Sequence, residues 1–506
     1  MIVKINGKIN HFYVQTLCMI FFPGVKFPAD EQPAPNVPEL VLDIDDQPDS
    51  VYAKALMSFD GQSASGDATI LKTHEETAER TVKKAAGTAV LAAGSKLLNY
   101  KPTWGILTGV RPSKIVSDML NKGISKTRIK KVLTSEYGTL PRKAALAIDV
   151  ALNEQKICKN QSPKNCSLYI SIPFCPTKCG YCSFVSYSSK RLLSLIPEYL
   201  EKLCLEIKSR MDTAKSLGLN VCTVYIGGGT PTILDPAQLT KLLTVIAQNV
   251  DIPSLEEFTL EGGRPDTITA EKLKIASELG VTRISVNPQS MHDEILCNIG
   301  RCHTVEDFLR AYDIARNSDI RCINTDLIAG LPGDNFSTFT KSFDKILNLH
   351  PENITVHTLA IKRASDFLRH DPNVYNMRGG DTGKCVDYYQ LKAQGEGYVP
   401  YYMYRQKNTV GNFENVGYSI PGFEGRYNIY MMEEVHTILA AGAGAVTKLV
   451  EYHPTGLENV YIQRLFSPKY PYEYLADTYQ DNQNEQIIKF YTERHLLDPE
   501  EASDDD

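Results

Sequence analysis

Leu168-Tyr-Ile-Ser-Ile-Pro-Phe-Cys-Pro-Thr-Lys-Cys-Gly-Tyr-Cys-Ser-Phe184 joins an apolar, strand-like run to a loop carrying Cys175, Cys179 and Cys182. Three residues separate the first two cysteines and two separate the last pair. Pro176 and Gly180 supply sharp turns on either side of Cys179, so a short segment aims three sulfurs inward, with Tyr181 as an aromatic wall beside them. A structural zinc wants four ligands, and no fourth Cys or His stands at zinc-finger spacing. A cubane iron–sulfur cluster has four irons, each usually held by a thiolate. Three thiolates leave one iron open to a small ligand, for which S-adenosylmethionine (SAM) is the candidate. Buried free thiols are the bland alternative.

From Leu168 onward short β-rich runs alternate with helical stretches, the signal of parallel βα units. Strands are expected over Leu168–Phe174, Thr223–Gly228, Glu257–Gly262, Arg283–Asn287, Ile323–Ile328 and Asn353–Leu359. Helices are expected around residues 191–216, 236–248, 269–279, 304–316 and 336–349. Eight such units close a barrel of about 250 residues, so six in roughly 200 predict an α/β fold with an open, partial (β/α)6 barrel. Its chemistry belongs at the C-terminal strand ends, and an open side can admit a large substrate. The polar motifs fall at those ends. The cysteine loop follows the first strand, Gly227-Gly-Gly-Thr-Pro-Thr232 the second, and Gln289 the fourth; Glu261 closes the third, and Asp326 lies on the fifth.

Residues 1–160 read as an α+β region of unassigned role, with hairpin signals at Asn6-Gly7 and Asp60-Gly61 and helices over about Thr73–Leu98 and Pro112–Gln155. Leu107-Thr-Gly-Val-Arg-Pro112 reads as a helix start, with Arg111 structural. The partial barrel is placed at 161–365. A substrate-covering α+β region follows at 366–498, with helices near 381–395 and 472–496, and 499–506 is an acidic tail expected to be disordered. The 506 residues, with net charge −6 and 42% hydrophobic content, fit two or three domains with sizeable cores. No basic stripe suggests nucleic acid as a partner, and no run reaches membrane-spanning length. Lys4 and Lys8 before the apolar stretch Phe12–Phe22 loosely imitate an export signal, but Pro23-Gly24-Val25-Lys26 is no small-residue cleavage site. Twelve cysteines without an export signal predict a cytoplasmic protein with reduced thiols.

The glycine triplet lets backbone approach a ligand where any Cβ would clash, which suits the methionine end of SAM. Glu261 can accept hydrogen bonds from ribose hydroxyls. Gln289 and Asp326 can do similar work, or cap the helices that follow. Arg301, in Ile299-Gly-Arg-Cys-His303, offers a fork suited to a carboxylate.

Together these residues resemble the oxygen-independent coproporphyrinogen III oxidase family of radical SAM enzymes, in its long, dehydrogenase-like branch. The resemblance covers about residues 165–365 and rests on Tyr169-x-x-Ile172-Pro-Phe-Cys-x3-Cys-x-Tyr-Cys182, GGGTPT, Glu261 before Pro265, Gln289, Gly300-Arg301-x-His303 and Asp326-Leu-Ile-x-Gly-Leu-Pro-Gly333. Gly263-Arg-Pro-Asp-Thr, Asn287-Pro-Gln-Ser-Met and Val356-His-Thr-Leu-Ala-Ile-Lys-Arg-Ala-Ser365 point to the branch. It implies a 4Fe-4S cluster on the three cysteines and one SAM, or two, contacted by Tyr169, Tyr181, Gly228, Gly229, Thr230, Glu261, Gln289, Arg301, Asp326 and Ala360. It further implies haem biosynthesis: hydrogen abstraction from coproporphyrinogen III propionates, loss of carbon dioxide and of one more electron to leave each vinyl group, and protoporphyrinogen IX as product after two rounds. The electron donor would be one such as flavodoxin or ferredoxin. A four-carboxylate tetrapyrrole substrate needs cations, for which Lys362, Arg363 and Arg405 are candidates. It also needs flat walls, for which Tyr398, Tyr401, Tyr402 and Tyr404 are candidates, unless they are packed core.

The chain departs from the family pattern at Phe184, where characterised oxidases can carry a further cysteine and haem-chaperone relatives carry phenylalanine, and at Ser171, where a histidine is expected. The alternative readings are a haem chaperone or haem-binding protein and a radical SAM methyltransferase acting on a planar heteroaromatic substrate. The chaperones' His-Asn-x-x-Tyr-Trp element is represented only by Arg426-Tyr-Asn-Ile-Tyr430, leaving His357 or His436 as haem ligands. Cys297, Cys302 and Cys322 are irregularly spaced and expected to be ordinary buried thiols.

Overall fold

The computed structural model describes residues 1–28, 31–74, 76–360, 380–406, 409–451, 461–476 and 479–494. They form two compact units: residues 1–151 with 358–384 and 403–415, and residues 152–357 with 385–402 and 416–506.

In the first unit β1 (Ile2–Asn6), β2 (Glu39–Asp46), β3 (Ser50–Phe59) and β4 (Gln62–Leu71) form a sheet in chain order. Strand β3 buries Val51, Ala53, Ala55 and Met57 and exposes the residues between, the period-two pattern of a half-buried strand. Helix α2 (Ala78–Leu98) lies against this sheet so closely that a Cβ on Gly66 would come within 2.5 Å of the Ala89 carbonyl. Asp60 and Gly61 both take positive φ and make the expected hairpin turn.

Asn6-Gly7 does not make a hairpin, because β1 pairs parallel with β2. The turn leads into α1 (His11–Phe21), which is capped by Asn10 and buries Val14, Leu17, Cys18 and Phe21. That spacing is helical, so the stretch resembling an export signal is an amphipathic helix of the core. The helical region expected from Pro112 is three helices, α3 (Pro112–Asn121), α4 (Lys126–Ser135) and α5 (Pro141–Cys158), with Gly123 and Gly138 at positive φ in the turns between them. Beneath them Glu414 accepts from Trp104 Nε1 at 2.7 Å and from Lys143 Nζ at 2.5 Å, and the Lys143–Glu414 ion pair is fully buried.

The second unit carries β5 (Asn165–Ile172), β6 (Asn220–Gly228), β7 (Glu257–Glu261), β8 (Arg283–Ser285), β9 (Cys322–Ala329) and β10 (Asn353–Thr358), adjacent in the sheet in chain order. Strands β5 to β9 pair parallel. The helices between strands are α6 (Lys190–Leu193) and α7 (Ile196–Ser216), α8 (Pro236–Asn249), α9 (Ala270–Glu278), α10 (Asp293–Asn298) and α11 (Val305–Arg316), and α12 (Phe336–Leu347). Sequential order without reversal is the winding of a (β/α) barrel segment and gathers every βα loop at one end. Strands β7 and β8 are almost continuously buried, as strands covered on both faces must be.

The sheet extends beyond these six strands to eleven. After α13 (Gly380–Gly395), β11 (Val399–Tyr404) and β12 (Asn415–Ser419) continue it past β10. After α14 (Arg426–Glu433), β13 (Thr437–Ala441) pairs parallel with β5 and is followed by antiparallel β14 (Val446–Val450) and β15 (Ile462–Phe466). Helices α15 (Pro471–Ala476) and α16 (Tyr479–Glu493) complete the described chain. Tyr398 and Tyr401 are buried, their hydroxyls donating to the Pro351 carbonyl and to Asn353 Oδ1, and Tyr402 is buried beside them. These tyrosines are packed core. The acidic tail lies outside the described residues.

Candidate functional site

The loop after β5 is folded on itself and tied down. Cys175 N donates to the Tyr187 carbonyl, Cys182 N to the Cys179 carbonyl, and Gly180 N to the Ile299 carbonyl beyond α10, at 3.0, 3.1 and 3.0 Å. Cys179 is buried, and Cys175 and Cys182 are half-buried. Burial pushes the Cys175 and Cys182 thiols up, and the neighbouring thiols push them further. Donors face all three sulfurs: Thr230 Oγ1 lies 3.3 Å from Cys175 Sγ, Arg264 Nη1 lies 3.7 Å from Cys179 Sγ, and the Phe184 N–H donates to Cys182. Three mutually repelling thiols with hydrogen-bond donors at each sulfur form a donor set that fits a cationic iron–sulfur centre.

The glycine triplet at the end of β6 presses against this loop. Gly229 N donates to the Ile172 carbonyl and Thr230 N to the Phe174 carbonyl, both at 2.8 Å, and a Cβ on Gly229 would sit 2.5 Å from the Phe174 oxygen. Gly228 takes a φ of +108°, where side chains are strained.

Glu261, at the end of β7, accepts a 2.7 Å hydrogen bond from the Tyr225 hydroxyl of β6. Burial lifts its carboxyl to about 7; Asp326 adds repulsion, while the Tyr225 bond and His357 oppose the rise. Tyr169, Tyr225 and Tyr427 stack beside it, with ring centroids 4.5 to 6.2 Å apart. Asp326 accepts from Asn287 Nδ2 and Asn324 Nδ2, each at 2.8 Å, and lies 3.6 Å from His357 Nε2.

Gln289 is fixed to β9 on both sides, its N–H donating to the Asp326 carbonyl and its own carbonyl accepting from Ile328 N. It takes a left-handed φ of 69°, and its buried Oε1 has no hydrogen-bond partner. Backbone strain and an orphaned buried acceptor thus coincide at one residue. Arg301 is buried; it donates to the Tyr181 hydroxyl at 2.9 Å and to the Gly263 and Asn287 carbonyls at 2.7 Å each.

The second unit therefore brings the cysteines together with Tyr169, Tyr181, Gly228, Gly229, Thr230, Glu261, Gln289, Arg301 and Asp326. Ala360 belongs to the first unit, bridged to Thr409. Arg405 is also in the first unit, buried beneath the Leu107 carbonyl that it donates to and over the Trp104 ring. Lys362 and Arg363 lie outside the described residues. His436 is buried with both ring nitrogens engaged, by Ser167 Oγ at 2.8 Å and Gln161 Oε1 at 2.7 Å, which leaves none for a haem iron. Cys322 is buried as expected, but Cys297 and Cys302 are exposed. Cys297 lies in the last turn of α10 and Cys302 between the buried Arg301 and His303, which their spacing does not reveal.

Sequence reasoning missed Tyr225, Tyr427, Asn287 and Arg264. Alternation along β6 could have placed Tyr225 on the face of Gly227, and the Gly263-Arg-Pro-Asp run drew attention to Arg264 without assigning it a task.

Residues 169–346 match the radical SAM superfamily. Over 401 residues the chain is 38% identical to the oxygen-independent coproporphyrinogen-III oxidase-like protein HemZ of Bacillus subtilis, covering 78% of this chain and 79% of that protein. The heme chaperone HemW of Lactococcus lactis is 30% identical over 300 residues, 59% of this chain and 74% of its own. The solved structure of coproporphyrinogen III oxidase (HemN) from Escherichia coli aligns with 69% of this chain and 78% of its own, at 19% identity and a TM-score of 0.48. Among the described residues no helix is long and apolar enough to cross a membrane. The superfamily match, and an identity that spans most of both chains, show that this chain belongs to the oxygen-independent coproporphyrinogen-III oxidase-like family of radical SAM enzymes, whose cofactors are a 4Fe-4S cluster and SAM.

Proposed function

We propose that the chain carries out oxygen-independent oxidative decarboxylation of coproporphyrinogen III to protoporphyrinogen IX. The observation that carries this reading is the gathering of three thiols, the glycine triplet, Glu261, Gln289 and Asp326 at successive strand ends, in a chain similar along most of its length to a coproporphyrinogen-III oxidase-like relative. When bound, the cluster and SAM supply a one-electron reductive cleavage and a hydrogen-abstracting radical.

The residues divide the rest of the work. Cys175, Cys179 and Cys182 would hold the cluster through their thiolates. Gly228, Gly229 and Thr230 admit the methionine end of SAM, and Arg301 and Tyr181 fix the wall beside it. Glu261, oriented by Tyr225, takes the ribose hydroxyls; Gln289 offers its unpartnered oxygen to a nucleoside donor; Asp326 is held ready by two asparagines. Tyr169 stacks with Tyr225 and Tyr427 as an apolar wall that excludes water. Lys362 and Arg363 are assigned to the propionates, and a flavodoxin- or ferredoxin-type protein to electron supply.

The test is anaerobic turnover of the iron-reconstituted protein with SAM, reductant and coproporphyrinogen III, following 5′-deoxyadenosine, carbon dioxide and protoporphyrinogen together. Coupled formation of all three supports the decarboxylase. One observation favours a second reading: Phe184, two residues past Cys182 and 73% exposed, occupies the position where the haem-chaperone pattern has phenylalanine. SAM cleavage without tetrapyrrole product, together with tight haem binding, supports that reading, and a methylated product supports methyl transfer.

A further inference from the structure

Arg264 follows β7 in the turn Gly263-Arg-Pro-Asp266 and is 3% exposed. Its Nε and Nη2 donate to the two oxygens of Asp266, at 2.9 and 3.0 Å. This bidentate grip fixes the plane of the guanidinium and directs the remaining nitrogen, Nη1, at the cysteine loop. There Nη1 lies 2.8 Å from Thr177 Oγ1 and 3.7 Å from the sulfur of Cys179, the buried member of the three thiols.

The turn is itself braced, since the Gly263 carbonyl accepts from Arg301, whose other nitrogen holds the Tyr181 hydroxyl. Two arginines on neighbouring loops thus grip Thr177, Cys179 and Tyr181 of a single loop. On the cysteine loop Arg301 reaches the Tyr181 hydroxyl, whereas Arg264 reaches a sulfur.

A buried cation donating to a cluster thiolate stabilises the form with more negative charge, which is the reduced one, and hydrogen bonds to cluster sulfurs act in the same sense. We propose that Arg264 is a positioning residue that raises the reduction potential of the cluster through Cys179, with Asp266 setting its aim. This rests on the assignment of the three cysteines to the cluster.

The test is an EPR-monitored redox titration of the full-length reconstituted protein, wild type against Arg264→Gln and Arg264→Lys, with iron and sulfide content measured on each sample. At matched cluster content, Arg264→Gln is expected to lower the equilibrium constant for cluster reduction about tenfold, a fall of ~59 mV for a one-electron couple. Arg264→Lys keeps the charge without the fork and is expected to fall between the two. If the Gln variant fails to load iron, the Lys variant decides: a fall of threefold or more supports the proposal. A potential equal to wild type in a fully loaded variant overturns it and leaves Arg264 a loop brace only. Wild type that shows no 4Fe-4S signal on reduction overturns the cluster assignment itself, and this inference with it.

Discussion

Tyr225 donates a 2.7 Å hydrogen bond to Glu261 from the adjacent parallel strand, so the carboxylate at the end of β7 is aimed by a ring that also stacks on Tyr169 and Tyr427. A carboxylate enclosed by aromatic rings keeps its proton to higher pH than one in water.

This sets a pH dependence. The Glu261 carboxyl titrates at about 7 folded against 4.5 ordinarily, so the folded chain holds a proton that the unfolded chain has lost. The stability that this proton contributes is complete below pH 4.5 and is lost as pH rises through 7, a swing of about 3 kcal/mol. Glu261→Gln should therefore raise the melting temperature of the cofactor-free protein at pH 8 and leave it nearly unchanged at pH 5. Parallel pH profiles for variant and wild type would count against the assignment.

Cys179→Ala should remove the brown iron–sulfur colour and all SAM cleavage, since two thiolates on this loop cannot secure the centre. Iron content and 5′-deoxyadenosine formation are the readouts. Retained cleavage would sink the three-thiolate site.

Gly229→Ala should destabilise the protein by about 1–3 kcal/mol and lower cluster loading, because the new Cβ meets the Phe174 carbonyl carbon and oxygen, which cannot swing aside. Gly395→Ala, in a helix where a Cβ meets nothing within 4 Å, is the control and should leave iron content unchanged without lowering the denaturant midpoint.

The first unit has its own reporter. Trp104 is the chain's only tryptophan, and it bonds the buried Glu414 that neutralises Lys143. Glu414→Ala removes one member of this buried ion pair and should cost about 3–5 kcal/mol in urea unfolding followed by Trp104 fluorescence. Replacing both Lys143 and Glu414 with apolar residues of similar volume should restore most of that loss.

Neutralising Lys362 and Arg363 together should weaken tetrapyrrole binding while leaving uncoupled SAM cleavage intact. Equal binding by variant and wild type in an equilibrium titration would remove them from the substrate site.

The six central strands were legible because each is a short apolar run bounded by turns. Glu257–Glu261 and Asn353–Thr358 fall within a residue of expectation, and the cysteine spacing marked the loop outright. Helix α1 was obscured by Asn6-Gly7, a strong local hairpin signal overridden by parallel pairing with a strand more than thirty residues away. Contacts that join distant segments had no local signature. Trp104 meets Glu414, Tyr427 meets Tyr225, and Arg264 meets Cys179 only once the sheet is assembled. The exposure of Cys302 was hidden for a related reason: composition makes cysteine a core residue by default, and here the side chains on either side of it, Arg301 and His303, take the buried places.

The parallel pairing of Thr437–Ala441 with β5 has a consequence for synthesis. The strand that leads into the cysteine loop gains one neighbour when β6 emerges from the ribosome, but its other edge stays bare until Thr437–Ala441 has been made. During that interval an open strand edge stands beside unmetallated thiols, inviting pairing with other nascent chains and oxidative cross-linking. Translation that stalls before Thr437 should therefore yield insoluble, cross-linked product, and iron delivery is best timed after β13 has docked.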